Sequence, residues 1–273
     1  AIQSRFVSKP LTMPAPIELY RDSRHICLMF TDLVEEDGQA VQANQFLVID
    51  GDQAALIDPG GNQAFNELLM GVGREFPPGK LTYLLASHAD PDIIASLARW
   101  IGGTDCQLVI SSIWSRFAPH FCTGTSTEGR IMAIKDEGAI LTLGKSSLHV
   151  IPAHFLHSEG NFQFYDPVAK ILFSGDLGAS LMPPKICGQP VPDFARHIPN
   201  MEGFHRRYMV SNKVCRLWAR MVRQLDIEMI VPQHGPFFKG KAMCNQFIDW
   251  IDNLSCGVDL VSEANYMLPQ SRV

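Results

Sequence analysis

Leu81-Thr82-Tyr83-Leu84-Leu85-Ala86-Ser87 runs into His88-Ala89-Asp90-Pro91-Asp92. An apolar run of strand length thus ends in three metal-ligating residue types within five positions. Residues spaced i, i+2 and i+4 do not share one face of a regular helix. His88, Asp90 and Asp92 can therefore converge only from a tight loop. Asp90-Pro91 supplies one, because proline biases the preceding residue away from helix. Asp92 then opens a helix expected from Ile93 to Trp100.

Three further apolar runs end in the same way. Residues 147–156 (SLHVIPAHFL) lead into His157, residues 170–175 (KILFSG) into Asp176, and residues 227–233 (IEMIVPQ) into His234-Gly235-Pro236. In α/β folds, sites gather at the carboxyl ends of strands. Each residue also has a plainer explanation. Asp92 suits a helix N-cap, Asp90 before proline suits a turn, Asp176 follows Ser174-Gly175 as a turn residue, and His234 precedes a glycine. Six such coincidences at strand ends favour metal binding over six unrelated turns.

Residues 25–32 (HICLMFTD) read as a first strand, and 45–49 with 54–57 as a hairpin across Asp50-Gly51-Asp52-Gln53. Asp58-Pro59-Gly60-Gly61 closes it. A helix from Gln63 to Arg74 follows, with Gly71-Val72-Gly73 read as its terminator. Then come a strand at 107–110 and a helix at 112–120. Residues 130–174 contain only short, hairpin-like strands. Later elements are one long helix over Glu202–Leu225, a strand at 227–231 and an amphipathic helix at 241–254. Strands in two batches, each followed by helices, predict two sheets packed face to face with helices outside. The expected fold is an α/β, four-layer αββα sandwich occupying residues 1–273 as a single domain. Pro183, Pro184, Pro190, Pro192 and Pro199 mark residues 178–200 as an expected lid loop over a pocket.

Composition narrows the functional classes. The 273 residues carry a formal net charge of -5, which disfavours nucleic acid as a partner. No stretch of 18 apolar residues is present, so no membrane span is expected. Ala1–Phe6 lacks the pattern of a secretory signal. The 7 cysteines are scattered, odd in number and without a CxxC pair. They read as buried, reduced thiols of a cytoplasmic protein. No GxSxG elbow or P-loop occurs.

The order HxDxD, His, Asp within SGD, and His within VPQHG resembles the metallo-β-lactamase superfamily. The resemblance runs from about residue 25 to 254 and includes Asp58-Pro59-Gly60. The hydrolytic branch reads HxHxDH; here Asp90 replaces the second histidine and Ile93 the last. A carboxylate at the second position resembles the flavodiiron branch, HxExDH. Residues 155–167 (FLHSEGNFQFYDP), 171–180 (ILFSGDLGAS), 201–209 (MEGFHRRYM) and 231–235 (VPQHG) resemble its FMN-free relatives, the oxygen-binding diiron group.

The resemblance implies that one metal takes His88, Asp90 and His157, a second takes Asp92 and His234, and Asp176 bridges them. Ile93 cannot ligate, which implies an open, partly apolar position suited to O2. Three histidines with three carboxylates favour two iron ions, with zinc as the alternative. No FMN domain lies in this chain. Tyr208 is a candidate hydroxyl donor to a bound ligand. The implied function is a non-haem diiron protein binding O2, with nitric oxide as a second candidate ligand. It would act as an oxygen sensor or as a reductase dependent on a separate electron donor, and would pair as a homodimer. The alternatives are a dinuclear hydrolase working through metal-bound hydroxide and a non-catalytic metal scaffold that docks a signalling partner.

Overall fold

A computed structural model describes residues 15–34 and 41–271; Ala1–Phe6, where no secretory signal was expected, lies outside the described residues. The first sheet contains, in spatial and chain order, β1 (Ile17–Arg21), β2 (His25–Phe30), β3 (Gln45–Asp50), β4 (Gln53–Ile57), β5 (Tyr83–Leu85), β6 (Gln107–Ser111) and β7 (Ile131–Ile134). Its first four strands pair antiparallel, and β4 to β7 pair parallel. The second sheet contains β8 (Ala139–Leu143), β9 (Ser146–Pro152), β10 (Phe162–Asp166), β11 (Ile171–Gly175), β12 (Met229–Pro232) and β13 (Phe238–Lys239). All its pairings are antiparallel except β11 with β12.

Both sheets are apolar on both faces, which explains the continuous hydrophobic runs of β3 and β11. Between the sheets pack Phe46, Val48, Ile57, Leu85, Phe164, Phe173 and Val231. The rings of Phe46 and Phe173 meet across that interface at 4.9 Å. The outer face of the first sheet is covered by α1 (Phe65–Glu75), α2 (Pro91–Ile94), α3 (Leu97–Gly103), α4 (Ser112–Ser115) and α5 (Ala118–Phe121). After the short α6 (Pro184–Cys187), the outer face of the second is covered by α7 (Phe194–Tyr208), α8 (Asn212–Val222) and α9 (Lys241–Asp252). The architecture is the expected αββα sandwich.

Several elements differ from the sequence reading. β1 is an additional edge strand before the first one expected. β7 was expected among the hairpins, yet it pairs parallel with β6 in the first sheet. Gly71 and Gly73 lie inside α1 and do not end it; the Phe76 N–H caps that helix on the Val72 carbonyl. The helix expected over Ile93–Trp100 is two pieces. Ser96 turns both its N–H (3.2 Å) and its hydroxyl (2.7 Å) to the Gly60 carbonyl, which breaks the helical ladder. Residues 112–120 likewise form two separate turns, α4 and α5.

The long helix expected over Glu202–Leu225 is also divided. Met209 and Ser211 are extended, and the Val210 N–H bonds to the Phe155 carbonyl at 3.3 Å. α7 begins at Phe194, eight residues earlier than read, with Asp193 accepting from the Arg196 N–H at its N-cap and Pro199 inside the helix. The expected lid loop is shortened accordingly and is fastened. The Val191 N–H donates to the Phe237 carbonyl at 2.8 Å, and the Phe237 N–H to the Gln189 carbonyl at 3.3 Å. No described helix is long and apolar enough to cross a membrane. All seven cysteines are buried and unbridged.

Candidate metal centre

His88 lies three residues beyond β5, Asp176 directly after β11 and His234 two residues beyond β12. His157 sits in the loop after β9. The first sheet thus delivers His88, Asp90 and Asp92 to one end of the sandwich, and the second delivers His157, Asp176 and His234. Asp90 occupies the N-cap position of α2 in extended conformation, with Pro91 as the first helical residue, so the cap is Asp90 and not Asp92. Its carboxylate makes no capping bond and turns to the site instead.

All six side chains meet, and Asp176 is the hub. Its Oδ2 stands 2.8 Å from His157 Nε2 and 3.3 Å from His88 Nε2, and its Oδ1 stands 3.3 Å from His234 Nε2. Asp90 Oδ2 lies 3.6 Å from His88 Nε2 and 3.5 Å from His157 Nε2, while Asp92 Oδ2 lies 3.3 Å from His234 Nε2. One carboxylate therefore joins a group of His88, Asp90 and His157 to a group of Asp92 and His234.

The far sides of the rings are fixed. His88 Nδ1 pairs with Ser87 Oγ at 2.9 Å, and His234 Nδ1 donates to the Gln42 carbonyl at 2.7 Å. Anchoring Nδ1 in this way aims the Nε2 lone pair inward, as metal-binding histidines require. His88 Nε2 and Asp176 Oδ1 are buried and have no hydrogen-bond partner among the described residues. Buried polar atoms are rarely left so, and a cation at that point would satisfy both. The donor set of imidazoles and carboxylates fits divalent iron or zinc.

Electrostatics point the same way. Burial works against the charge on His88 and His234, yet Asp176 and the neighbouring Asp90 or Asp92 pull each up to about 10. Burial also opposes ionisation of Asp176, but the three imidazoles hold it well below the usual carboxylate range. Clustered carboxylates here draw in positive charge, as protons or as metal.

A cavity of about 640 Å³ opens over these residues, walled by Leu181, Pro199, Phe204, Arg207 and Tyr208. Tyr208 is 55% exposed, stacks on Phe204 at 4.7 Å and sets its ring 5.6 Å from that of His157. Ile93 does not face this cavity. It is buried among the core residues under the first sheet, so the apolar wall over the site comes from α7 and residues 179–181. Only the start and end of the expected lid segment line the cavity.

Supporting residues were less legible. Asp58, wholly buried, accepts from the Ser87 N–H at 2.7 Å and so holds the loop that carries His88; burial pushes its carboxyl up to about 6. Its signal was the Asp-Pro turn after an apolar strand. His205 is buried, with Nδ1 donating to the Met201 carbonyl and Nε2 accepting from the Gly178 N–H, both at 2.8 Å. Burial lowers it to about 4, so it stays neutral while it ties α7 to the loop of Asp176. His154 is not at the site; it donates to the Asp136 carbonyl at 2.8 Å.

An αββα sandwich with histidines and aspartates gathered at this edge defines the metallo-β-lactamase class of fold. Within that class, the model of the ODP family beta lactamases matches residues 41–235, and the chain belongs to that family. Two structures of the chemotaxis sensor ODP, one of its peroxy diiron species and one of its apo state from T. denticola, are each 36% identical with a TM-score of 0.81. They cover 93% and 92% of this chain and 100% and 98% of their own. The rubredoxin oxygen:oxidoreductase of Desulfovibrio gigas shares the fold at 17% identity and a TM-score of 0.72, over 86% of this chain and 60% of that one. An uncharacterized protein of Methanocaldococcus jannaschii is 24% identical over 212 residues, 72% of this chain; the match spans only 49% of that curated relative.

Proposed function

We propose that this chain is a non-haem diiron protein that binds O2 and serves as an oxygen sensor. The observation that carries the reading is the Asp176 hub, which joins two groups of inward-aimed donors and leaves buried polar atoms without other partners. His88, Asp90 and His157 would hold one iron, Asp92 and His234 the other, and Asp176 would bridge. A bound iron pair supplies O2 affinity and reducing equivalents. The protein's part is orientation and exclusion of water. Ser87 and the Gln42 carbonyl fix the rings, Asp58 fixes the His88 loop, and Leu181, Pro199 and Phe204 shield the cavity. Tyr208, which lines that cavity, would offer its hydroxyl to a ligand there.

Membership of the ODP family and the 36% identity to a chemotaxis sensor with a diiron species support the sensing role over turnover. Nitric oxide is a second ligand of suitable size, and sustained O2 reduction would need a separate electron donor. A cytoplasmic homodimer that signals to a protein partner completes the reading.

Anaerobic loading with ferrous iron followed by elemental analysis and exposure to O2 tests it. Two irons per chain and a visible absorption that forms on O2 addition are expected. A chain that retains only zinc, and hydrolyses an ester or phosphoester panel in that form, would establish the hydrolase reading instead.

A further inference from the structure

Cys215, in the first turn of α8, and Cys256, just before the turn Gly257–Leu260, are both completely buried with their sulfurs 3.8 Å apart. Among the described residues no other two of the seven cysteines have their sulfurs in contact. Cys106, Cys187 and Cys244 each meet a hydroxyl or carbonyl oxygen instead, and Cys27 meets the Asp166 carboxylate. We infer that Cys215 and Cys256 form a dithiol that a hydroperoxide closes to a disulfide, clasping the C-terminal turn onto α8.

The place of this pair in the fold gives the bond a consequence. The C-terminal turn is fastened to the α7–α8 junction by a dense set of polar contacts. Asp259 Oδ2 accepts from the Asn212 N–H at 2.6 Å and from the Cys256 N–H at 3.0 Å. The Val258 N–H donates to the Val210 carbonyl at 2.8 Å, and the Val210 N–H donates in turn to the Phe155 carbonyl. Gly257 has φ +53, and a Cβ there would meet the Met209 and Val210 carbonyls at 2.2 Å, so the two backbones touch as only glycine permits. This chain of contacts ends two residues from His157. It also forms one wall of a second cavity, about 740 Å³, that His157 and Tyr208 share with the first. A covalent link between residues 41 positions apart would hold that wall shut.

The chemistry balances with a hydroperoxide as the oxidant. One thiol, as thiolate, attacks a peroxide oxygen; the O–O bond breaks, giving a sulfenic acid and, with hydrogen peroxide, water. The second thiol attacks that sulfur, the S–O bond breaks, the S–S bond forms and a second water leaves. Two electrons pass from the sulfurs to the peroxide, and a thiol reductant reverses the bond. The sulfurs must close from 3.8 Å to about 2.05 Å, a movement within reach of side-chain rotation with a small shift of the turn. Gly257 and Val258, which follow Cys256, line the 740 Å³ cavity, and local opening of this turn would bring a small neutral peroxide there to the buried Cys256 sulfur.

The inference does not rest on the diiron reading, and its test keeps iron out. Chelator-stripped and zinc-loaded full chain are treated with stoichiometric hydrogen peroxide, alkylated, and digested without reduction for mass mapping. Expected are the loss of two of the 7 thiols, one linked pair of peptides carrying Cys215 and Cys256, and full recovery with dithiothreitol. Amide exchange at Val210 and Val258 should slow in the oxidised chain. Thiol loss elsewhere, a different linked pair, or no loss until denaturant is added would overturn the inference. Cys256→Ala should abolish the linked pair and leave Cys215 open to a sulfenic-acid trap. If that variant does not fold, the mapping on the unaltered chain still decides.

Discussion

The sandwich carries a buried histidine–carboxylate cluster at each end. Beyond the carboxyl ends of β5, β9 and β11 stand His88, Asp90, His157 and Asp176; at the opposite end, where β2 starts and β10 finishes, stand His25, Cys27 and Asp166. Both groups bring potential ligand atoms within 4.8 Å of one another. They differ in what remains unsatisfied. His25 has both ring nitrogens engaged, Nε2 with Asp166 at 2.6 Å and Nδ1 with Asp50 at 3.2 Å, and Arg24 pairs with Asp50 at 2.6 Å. Asp166 Oδ1 accepts the N–H groups of Val168 and Ala169. Arg24, both nitrogens of His25 and the Cys27 thiol are engaged by the two carboxylates there, no ligand atom is left over, and the cluster is a rivet between the sheets. At the other end three carboxylates face three histidines whose Nε2 atoms all point to one place, and partnerless atoms remain. Residue types alone do not make a metal site; unmet hydrogen-bonding capacity and an open approach do.

That contrast can be broken by exchanging the consequences of mutation at the two ends. The largest effect is expected from Asp176→Ala, which should remove essentially all bound metal by elemental analysis while far-ultraviolet circular dichroism stays unchanged. Asp166→Ala should do the reverse. It leaves His25 Nε2 and the Cys27 thiol buried without their partner, so a loss of about 1–3 kcal/mol in denaturant unfolding is expected, with metal content per folded molecule intact. Metal loss in Asp166→Ala, or unfolding in Asp176→Ala, would erase the distinction.

A smaller effect sharpens the picture through pH. Burial opposes a charge on His25, but its bonds to Asp166 and Asp50 prevail and raise its pKa above the ordinary value. A group with a raised folded-state pKa stabilises fully below its unfolded value, about 6.5, and loses that stabilisation as pH rises through the folded value. Stability should therefore decline across that window, and His25→Gln should flatten the decline relative to the unaltered chain under the same metal loading. The smallest effect concerns selectivity. Asp90→His exchanges a hard oxygen donor for imidazole and should shift an iron–zinc competition toward zinc without loss of the fold. An unchanged metal ratio would mean that Asp90 does not set the preference.

Much of the candidate site was legible because residues of metal-ligating type stand out by their position after apolar strands. His88, Asp90, Asp92, His157, Asp176 and His234 were all read that way, and the structure brings all six together. Where the reading failed, the deciding partner lay far away in sequence. β7 has the same short apolar signature as the hairpin strands, and nothing in its own residues says that it pairs with β6. The break between α7 and α8 depends on Phe155 and Val258, which take the backbone groups of Val210. Ile93 was read as facing the metals because it replaces a ligand in related motifs, yet in α2 it points about a third of a turn away from Asp92, into the core. The Gln42 carbonyl that steers His234 is a backbone group and leaves no trace in residue type.

The six side chains are contributed in equal shares by the two sheets, and the 42–44 segment of one sheet grips the loop of His234 on the other. The Asn44 N–H donates to the Gln233 carbonyl, and its side-chain amide donates to the carbonyls of Pro232 and Gly235. Neither half of the polypeptide owns a complete set of donors. A nascent chain truncated before Asp176 would offer a cation only part of a nest, so uptake must wait for the last third of the sequence to arrive. Under the proposed diiron reading, loading would be a late checkpoint of assembly, and an ion once seated would hold the two halves together.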